Sequence, residues 1–410
     1  MEWFEDDRSR ESRVVARRRH QREVTYRRRR LGAVAIFVVV VLAFVLLASG
    51  DLTGGGGGGP FATPEETATP VNFTVEASGG ILIHSPLWAR ALQLGGGSKY
   101  DFAPLFAQLT PYLRKADLPL CHLETPMTSA PPTSYPIFNT PPELATGVKQ
   151  AGFEACSIAG NHWLDQGQHG IDESNKILDK AGVIHDGANP SPADQRKPVI
   201  INVKGVKLGF LAFTTDTNGI PLPHPWSVNM AKPALIKSLV QRDIKAGADA
   251  VIVNLHFASF ILPQYTTALT SDEKKLAEFT AHLPGVAAIV GQGPHDIQKI
   301  DWIDGKPVVY SDGNLVSNQS PAEGLPANTQ DGMLAFIHFV SKGGKVKAKS
   351  VQYVPTWVSI PDYTVLPVGR ALQKGQADPT QLRDSYDRTV ALAGRGPKVQ
   401  PIPKRLPPAG

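Results

Sequence analysis

The chain has 410 residues, 42% of them apolar and 19% charged, which excludes a wholly disordered chain and a coiled-coil rod. Its 38 Gly and 35 Pro follow no three-residue period, so a collagen-type helix is excluded too. Residues 1–30 hold 11 Arg against 6 Asp and Glu and carry the whole net charge of +5, so the remainder is neutral and has no net field to draw in a nucleic acid.

Residues 31–49, LGAVAIFVVVVLAFVLLAS, form an uncharged apolar run. As a helix rising about 1.5 Å per residue it spans roughly 28 Å, close to the ~30 Å hydrocarbon core. Ala48, Ser49 and Gly50 keep a cleaved signal peptide open, but the long charged leader favours a single-pass transmembrane helix. Arg27 to Arg30 flank one side of the run and Asp51 the other. The positive-inside rule then sets the Arg-rich tail in the cytoplasm and the C-terminal domain outside the cell membrane. The same arginines suit anionic lipid better than nucleic acid. Residues 50–70 hold six consecutive glycines and then FATPEETATP, a flexible tether that stiffens into a spacer.

From residue 71 short apolar runs alternate with helical spacing. Strands are expected at 71–77, 118–123 and 155–159, and helices at 102–115, 142–151 and 169–181, the last ending at Gly182. This alternation indicates right-handed crossovers and a mainly parallel sheet. Further on, Lys204-Gly205, Asp304-Gly305 and Gly343-Gly344 read as hairpin turns, and 250–255 and 286–290 as buried strands joined by a helix through 272–283. An α/β sandwich of two mixed sheets flanked by helices accounts for this order over 71–365. Residues 366–410 read as one helix at 379–392, capped by Asp378, followed by a loose proline-rich end. Cys121 and Cys156 are the chain's two cysteines. A disulfide is permitted outside the membrane, but two buried free thiols are the expectation.

Ligand chemistry in open α/β folds collects at the carboxyl ends of strands. Here those ends carry Glu124 in LETP, Asn161, His162 and Asp165 in GNHWLD, His256 in VNLHF, His295 in GQGPH and Asn314 in YSDGN. A single such histidine is more often a loop residue than a ligand. Oxygen and nitrogen donors at successive strand ends point instead to a divalent ion such as Mn, Fe or Zn. They do not suit structural zinc, which favours a closed set of thiolates and imidazoles.

The order of these motifs over about residues 71–320 resembles the CapA family, associated with poly-γ-glutamate capsule synthesis, whose domain is similar to calcineurin-like metallophosphoesterases. The resemblance implies that fold. It also implies Glu124, Asn161, His256 and His295 as metal ligands, His162 as proton donor and Asp165 as the group that orients it. Three positions depart from the family pattern. Gly80 stands where the opening strand ends in a metal-binding aspartate, and Gly293 where a histidine is usual. Phe257, Ala258, Ser259 and Phe260 replace a Trp-Gly segment followed by a glutamate. Loss of a charged ligand costs orders of magnitude in affinity, because neutral donors do not offset dehydration of a dication. His84 is the residue placed to substitute, ahead of Glu76.

The expectation is therefore one weakly held ion or none. Three readings follow: an anchored accessory protein gripping a cell-surface polymer, a lipid-linked precursor or a membrane protein partner; an active metal-dependent phosphoesterase; and a vestigial domain kept for assembly. A neutral ectodomain offers a polyanion no broad basic surface. Lys204 with Lys207, and Lys342, Lys345, Lys347 and Lys349 along one hairpin, read as solvated strand faces.

Overall fold

Two mixed sheets form the centre of the computed structural model, which describes residues 69–257 and 264–407. The Arg-rich tail, the apolar run at 31–49 and nearly all of the 50–70 tether lie outside the described residues. Among those described, no helix is long and apolar enough to cross a membrane.

In the first sheet β1 (Val71–Ile81), β2 (Leu118–Leu123), β3 (Ala155–Ser157) and β4 (Ile184–Asp186) run parallel. The second sheet is built from β5 (Ile200–Val203), β6 (Val206–Thr214), β7 (Ala250–His256), β8 (Val286–Gln292), β9 (Ile300–Ile303) and β10 (Lys306–Val309), in the order β5-β6-β7-β8-β10-β9. The chain then returns to the first sheet. Short β11 (Asn314–Val316) pairs with β1, and the antiparallel strands β12 (Asp331–Lys342), β13 (Lys345–Ser359) and β14 (Thr364–Pro367) extend it on the other side of β1.

Alternation explains how the sheets meet. Phe73, Val75 and Ala77 of β1 and Leu118 and Leu120 of β2 pack against Leu208 and Phe210 of β6 and Ala250 and Ile252 of β7. The opposite face of the first sheet, including Ile81, Cys121 and Leu123, packs on the helices Ser85–Leu94, Glu143–Ala151 and Gly167–Ala181. Helices Pro233–Lys245 and Ser271–Ala281 cover the outer face of the second sheet. All three hairpin turns form as read. On β13, Lys345, Lys347 and Lys349 are exposed while Val346 and Ala348 turn to the core.

Several expectations are corrected. The helix at 102–115 is two short ones, Ala103–Phe106 and Thr110–Leu113, because Pro111 has no N–H to continue the ladder and opens a new helix instead. Helices Ser85–Leu94 and Pro233–Lys245 were not foreseen. Cys121 and Cys156 are not free thiols: in-register pairing of β2 with β3 sets their Cα atoms 4.4 Å apart, and they form a disulfide. Nor is the proline-rich end loose. Helix Pro379–Ala393 is capped by Asp378 as expected, but β15 (Val399–Pro401) then pairs with β13, and Tyr386 Oη donates to Pro403 O at 2.7 Å.

Candidate functional site

The parallel strands β1, β2, β3, β7 and β8 end at one rim, and the side chains singled out in the sequence meet there. Glu124 follows β2, and its Oε1 lies 3.9 Å from His256 Nε2 and 3.8 Å from His295 Nε2. His256 closes β7, and its Nε2 donates to Asn161 Oδ1 at 3.1 Å. His295 Nδ1 donates to Asn314 Oδ1 at 3.1 Å, and Asn314 donates in turn to Gln319 Oε1 at 2.7 Å. His162 Nδ1 donates to Asp165 Oδ2 at 2.8 Å, and the same oxygen accepts from the Phe138 N–H at 2.7 Å. His84 precedes helix Ser85–Leu94, and its Nδ1 accepts from the Asn318 N–H at 3.3 Å.

Burial sets the charge state of part of this group. Desolvation, aided by His295, pulls His84 down to about 4 and His122 to about 3. It also holds His256 well below the usual imidazole range, with His122, His295 and His162 adding to the effect. These three rings are neutral at pH 7.

His122 is a member of the site that the sequence reading missed. Its ring stacks on His256 at 4.7 Å, its Nδ1 lies 3.1 Å from Ser157 Oγ, and its Nε2 has no hydrogen-bond partner. The signal was a lone histidine on the inward face of an apolar strand, two residues before Glu124. Asn218 is a second. It accepts from Asn161 Nδ2 at 3.0 Å and brings its own Nδ2 to 3.3 Å from His162 Nδ1. It arrives on the long loop after β6, where Asn-Gly signals a turn and nothing more. Phe138 is a third, edge-on to His162 at 4.6 Å and to His84 at 5.3 Å.

The two glycines that depart from the family pattern differ in what surrounds them. Gly80 pairs with His122 on one side and Asn314 on the other. A Cβ there would lie 3.0 Å from Glu124 Oε2, so a side chain at residue 80 would enter the rim. Gly293 has φ +117, and a Cβ there would sit 2.5 Å from the Phe257 carbonyl oxygen. The backbone is closed against a side chain at that position.

These residues do not fit a two-metal centre. No side chain is present at residues 80 or 293, and the atoms of Asn161 and His256 that would face an ion bond each other. Among the described residues, no group of three or more His, Cys, Asp or Glu side chains is arranged to hold a metal. Glu124 Oε1, between His256 and His295, is buried and without a hydrogen-bond partner, as an atom facing a cation would be. Glu76 offers no replacement. It is fully buried within β1, and desolvation together with Asp312 keeps its carboxyl well above the usual range. Beside the rim lies a cavity of about 490 Å³ whose lining includes His84, Asn161, His162 and His295.

The fold is thus a two-sheet α/β sandwich with carboxylate, carboxamide and imidazole groups at its strand ends. Residues 74–319 match the bacterial capsule synthesis protein family PGA_cap, and the chain belongs to that family of CapA-like proteins. It is 27% identical over 290 residues to the capsule biosynthesis protein CapA of Bacillus anthracis, covering 68% of this chain and 67% of that one. It is 25% identical over 249 residues to the PGA biosynthesis protein CapA of Bacillus subtilis, covering 58% and 62%. The chain thus spans about two thirds of the length of these relatives. A calcineurin-like phosphoesterase of Bacillus subtilis is similar at 12% identity and a TM-score of 0.43, over 78% of this chain and 100% of that one.

Proposed function

We propose that this chain is a membrane-anchored extracellular accessory protein of capsule polymer synthesis or attachment. Its rim binds a cell-surface polymer of the poly-γ-glutamate kind or its lipid-linked precursor, near membrane protein partners, and does not run two-metal phosphoester hydrolysis. Family membership supports the pathway. The apolar run at 31–49 with Arg27 to Arg30 before it supports the anchor, and the Cys121–Cys156 disulfide suits an oxidising exterior. The observation that carries the reading is the pair of glycines. One charged donor is missing at residue 80, and the backbone at residue 293 has no room for another.

A second reading is favoured by Asp165, which holds His162 at 2.8 Å as a general acid requires. In that case Glu124, Asn161, His256 and His295 would hold one Mn, Fe or Zn ion, which would supply Lewis-acid polarisation of a phosphoryl oxygen. The chain's own residues would do the rest: His162 would protonate the leaving oxygen, and Asp165 would fix its tautomer. The test is phosphodiester turnover by the purified full-length chain in Mn, Fe or Zn, compared with His162→Ala. The accessory reading expects the two proteins to be indistinguishable. Turnover lost in His162→Ala would overturn it.

A further inference from the structure

The cavity beside His162 has a chemistry of its own. Neither lysine nor arginine lines it among the described residues, and the acid Glu323 does. Apart from its imidazoles, this lining offers a polycarboxylate or a phosphate no cationic donor. Its polar groups include five carboxamides, from Asn161, Asn218, Gln264, Asn318 and Gln319, beside imidazoles and two tyrosine hydroxyls. A carboxamide has two N–H donors and two acceptor lone pairs, so Asn161, Asn218, Asn318 and Gln319, though bonded within the rim, keep capacity to meet a sugar hydroxyl.

The mouth adds an apolar surface. Residues 133–139 form a loop closed by reciprocal backbone bonds between Thr133 and Asn139. It is tied down by the Phe138 N–H to Asp165 and by Gln166 Nε2 donating to Phe138 O at 2.9 Å. On this braced loop Tyr135 is 76% exposed and Ile137 46%, an aromatic and an aliphatic side chain turned to solvent at the cavity edge. Exposed large apolar residues grouped at a polar cavity mark a ligand with an apolar face. The volume, about 490 Å³, lies within the ~300–1,000 Å³ of small-molecule clefts.

We propose that this cavity is a saccharide subsite, in which the carboxamides meet the hydroxyls of a neutral glycan and Tyr135 stacks on a sugar ring. The assignment rests on the polymer-handling reading and narrows it. The cavity takes the saccharide part of the lipid-linked precursor, and a poly-γ-glutamate segment is held along the rim outside the cavity.

Calorimetric titration of the purified full-length chain tests this with chitotetraose, maltotetraose and tetraglutamate, each against wild type, Tyr135→Ala and Gln264→Ala. Both substituted side chains are exposed, so the fold is left intact. At least one saccharide is expected to bind one to one, and Tyr135→Ala to weaken it about tenfold, the usual loss for one aromatic anchor. Binding of neither saccharide, or saccharide binding unchanged in both variants, overturns the assignment. Tetraglutamate binding that Tyr135→Ala abolishes overturns it as well but leaves the polymer-handling reading standing. That reading fails separately, on turnover lost in His162→Ala.

Discussion

Asn161, His162 and His256, at the ends of β3 and β7, are held in a set of hydrogen bonds. In it Asn218 Nδ2 donates to His162 Nε2, and His162 Nδ1 donates to Asp165, which also holds the 133–139 loop. At the ends of β1 and β8, Gly80 and the Gly293 turn contribute no side chain, and His295 leans on Asn314 instead. One half of the rim satisfies its own polar groups without an ion, and the other presents no side chain at residues 80 and 293 to hold one. Glu124 stands between them with a buried, unpartnered oxygen. Removing donors from a buried polar site does not leave the remaining groups idle. They are expensive to bury unpaired, so they pair with one another.

The largest expected effect is on the depleted half. Gly293→His would place a side chain against the Phe257 carbonyl at a left-handed φ, and should cost at least about 3 kcal/mol in urea unfolding. Gly80→Ala, whose nearest neighbour is the end of the Glu124 side chain, should cost less than about 1.5 kcal/mol. Equal costs would erase the contrast between the two glycines. Next comes the link between the halves: β2 leads to Glu124 and β3 to Asn161, and the disulfide joins them across 35 residues. Replacing both cysteines by serine should lower stability by roughly 3 kcal/mol in chemical denaturation.

On the retained half, Asp165→Ala should cost about 2 kcal/mol, since both the His162 ring N–H and the Phe138 N–H lose their acceptor. Protease sensitivity of the 133–139 loop should rise with it, whereas Asp165→Asn should restore the loop in part.

The control lies away from the rim, where the smallest effect on rim binding is expected. Burial raises Asp186, at the end of β4, to about 7 against the bonds from the Ala212 N–H and Asn229. Its folded pKa lies above its unfolded value of 3.8, so the unfolded chain loses the proton first. Stability from this group should therefore be fullest below about pH 4 and fall as pH rises towards 7, by at most about 1.4 kcal/mol per pH unit. Asp186→Asn should flatten that slope in thermal melts and leave ligand binding at the rim unchanged.

Much of this was legible in the chain. Apolar runs such as 250–255 and 286–290 could only be buried strands, and the Gly-containing turns fixed three hairpins. The donors after strands converge because parallel strands share one carboxyl end, a rule that needs no register. What the sequence does not carry is register itself. Opposition of Cys121 to Cys156, contact of Gly80 with Glu124, and stacking of His122 on His256 each depend on which residue faces which across strands. Pairing of β15 with β13 is of the same kind, since a proline-rich end has no periodicity to reveal its partner. Asn218 was hidden for another reason: a turn residue on a long loop shows where the chain bends but not what it reaches.

The count of ions bound per chain tests the central claim most directly. After dialysis of the purified full-length protein against Mn, Fe or Zn, elemental analysis should find no more than one ion per chain. A chain that retains two ions would contradict the account, because it would show that the rim holds a complete two-metal centre despite Gly80 and Gly293.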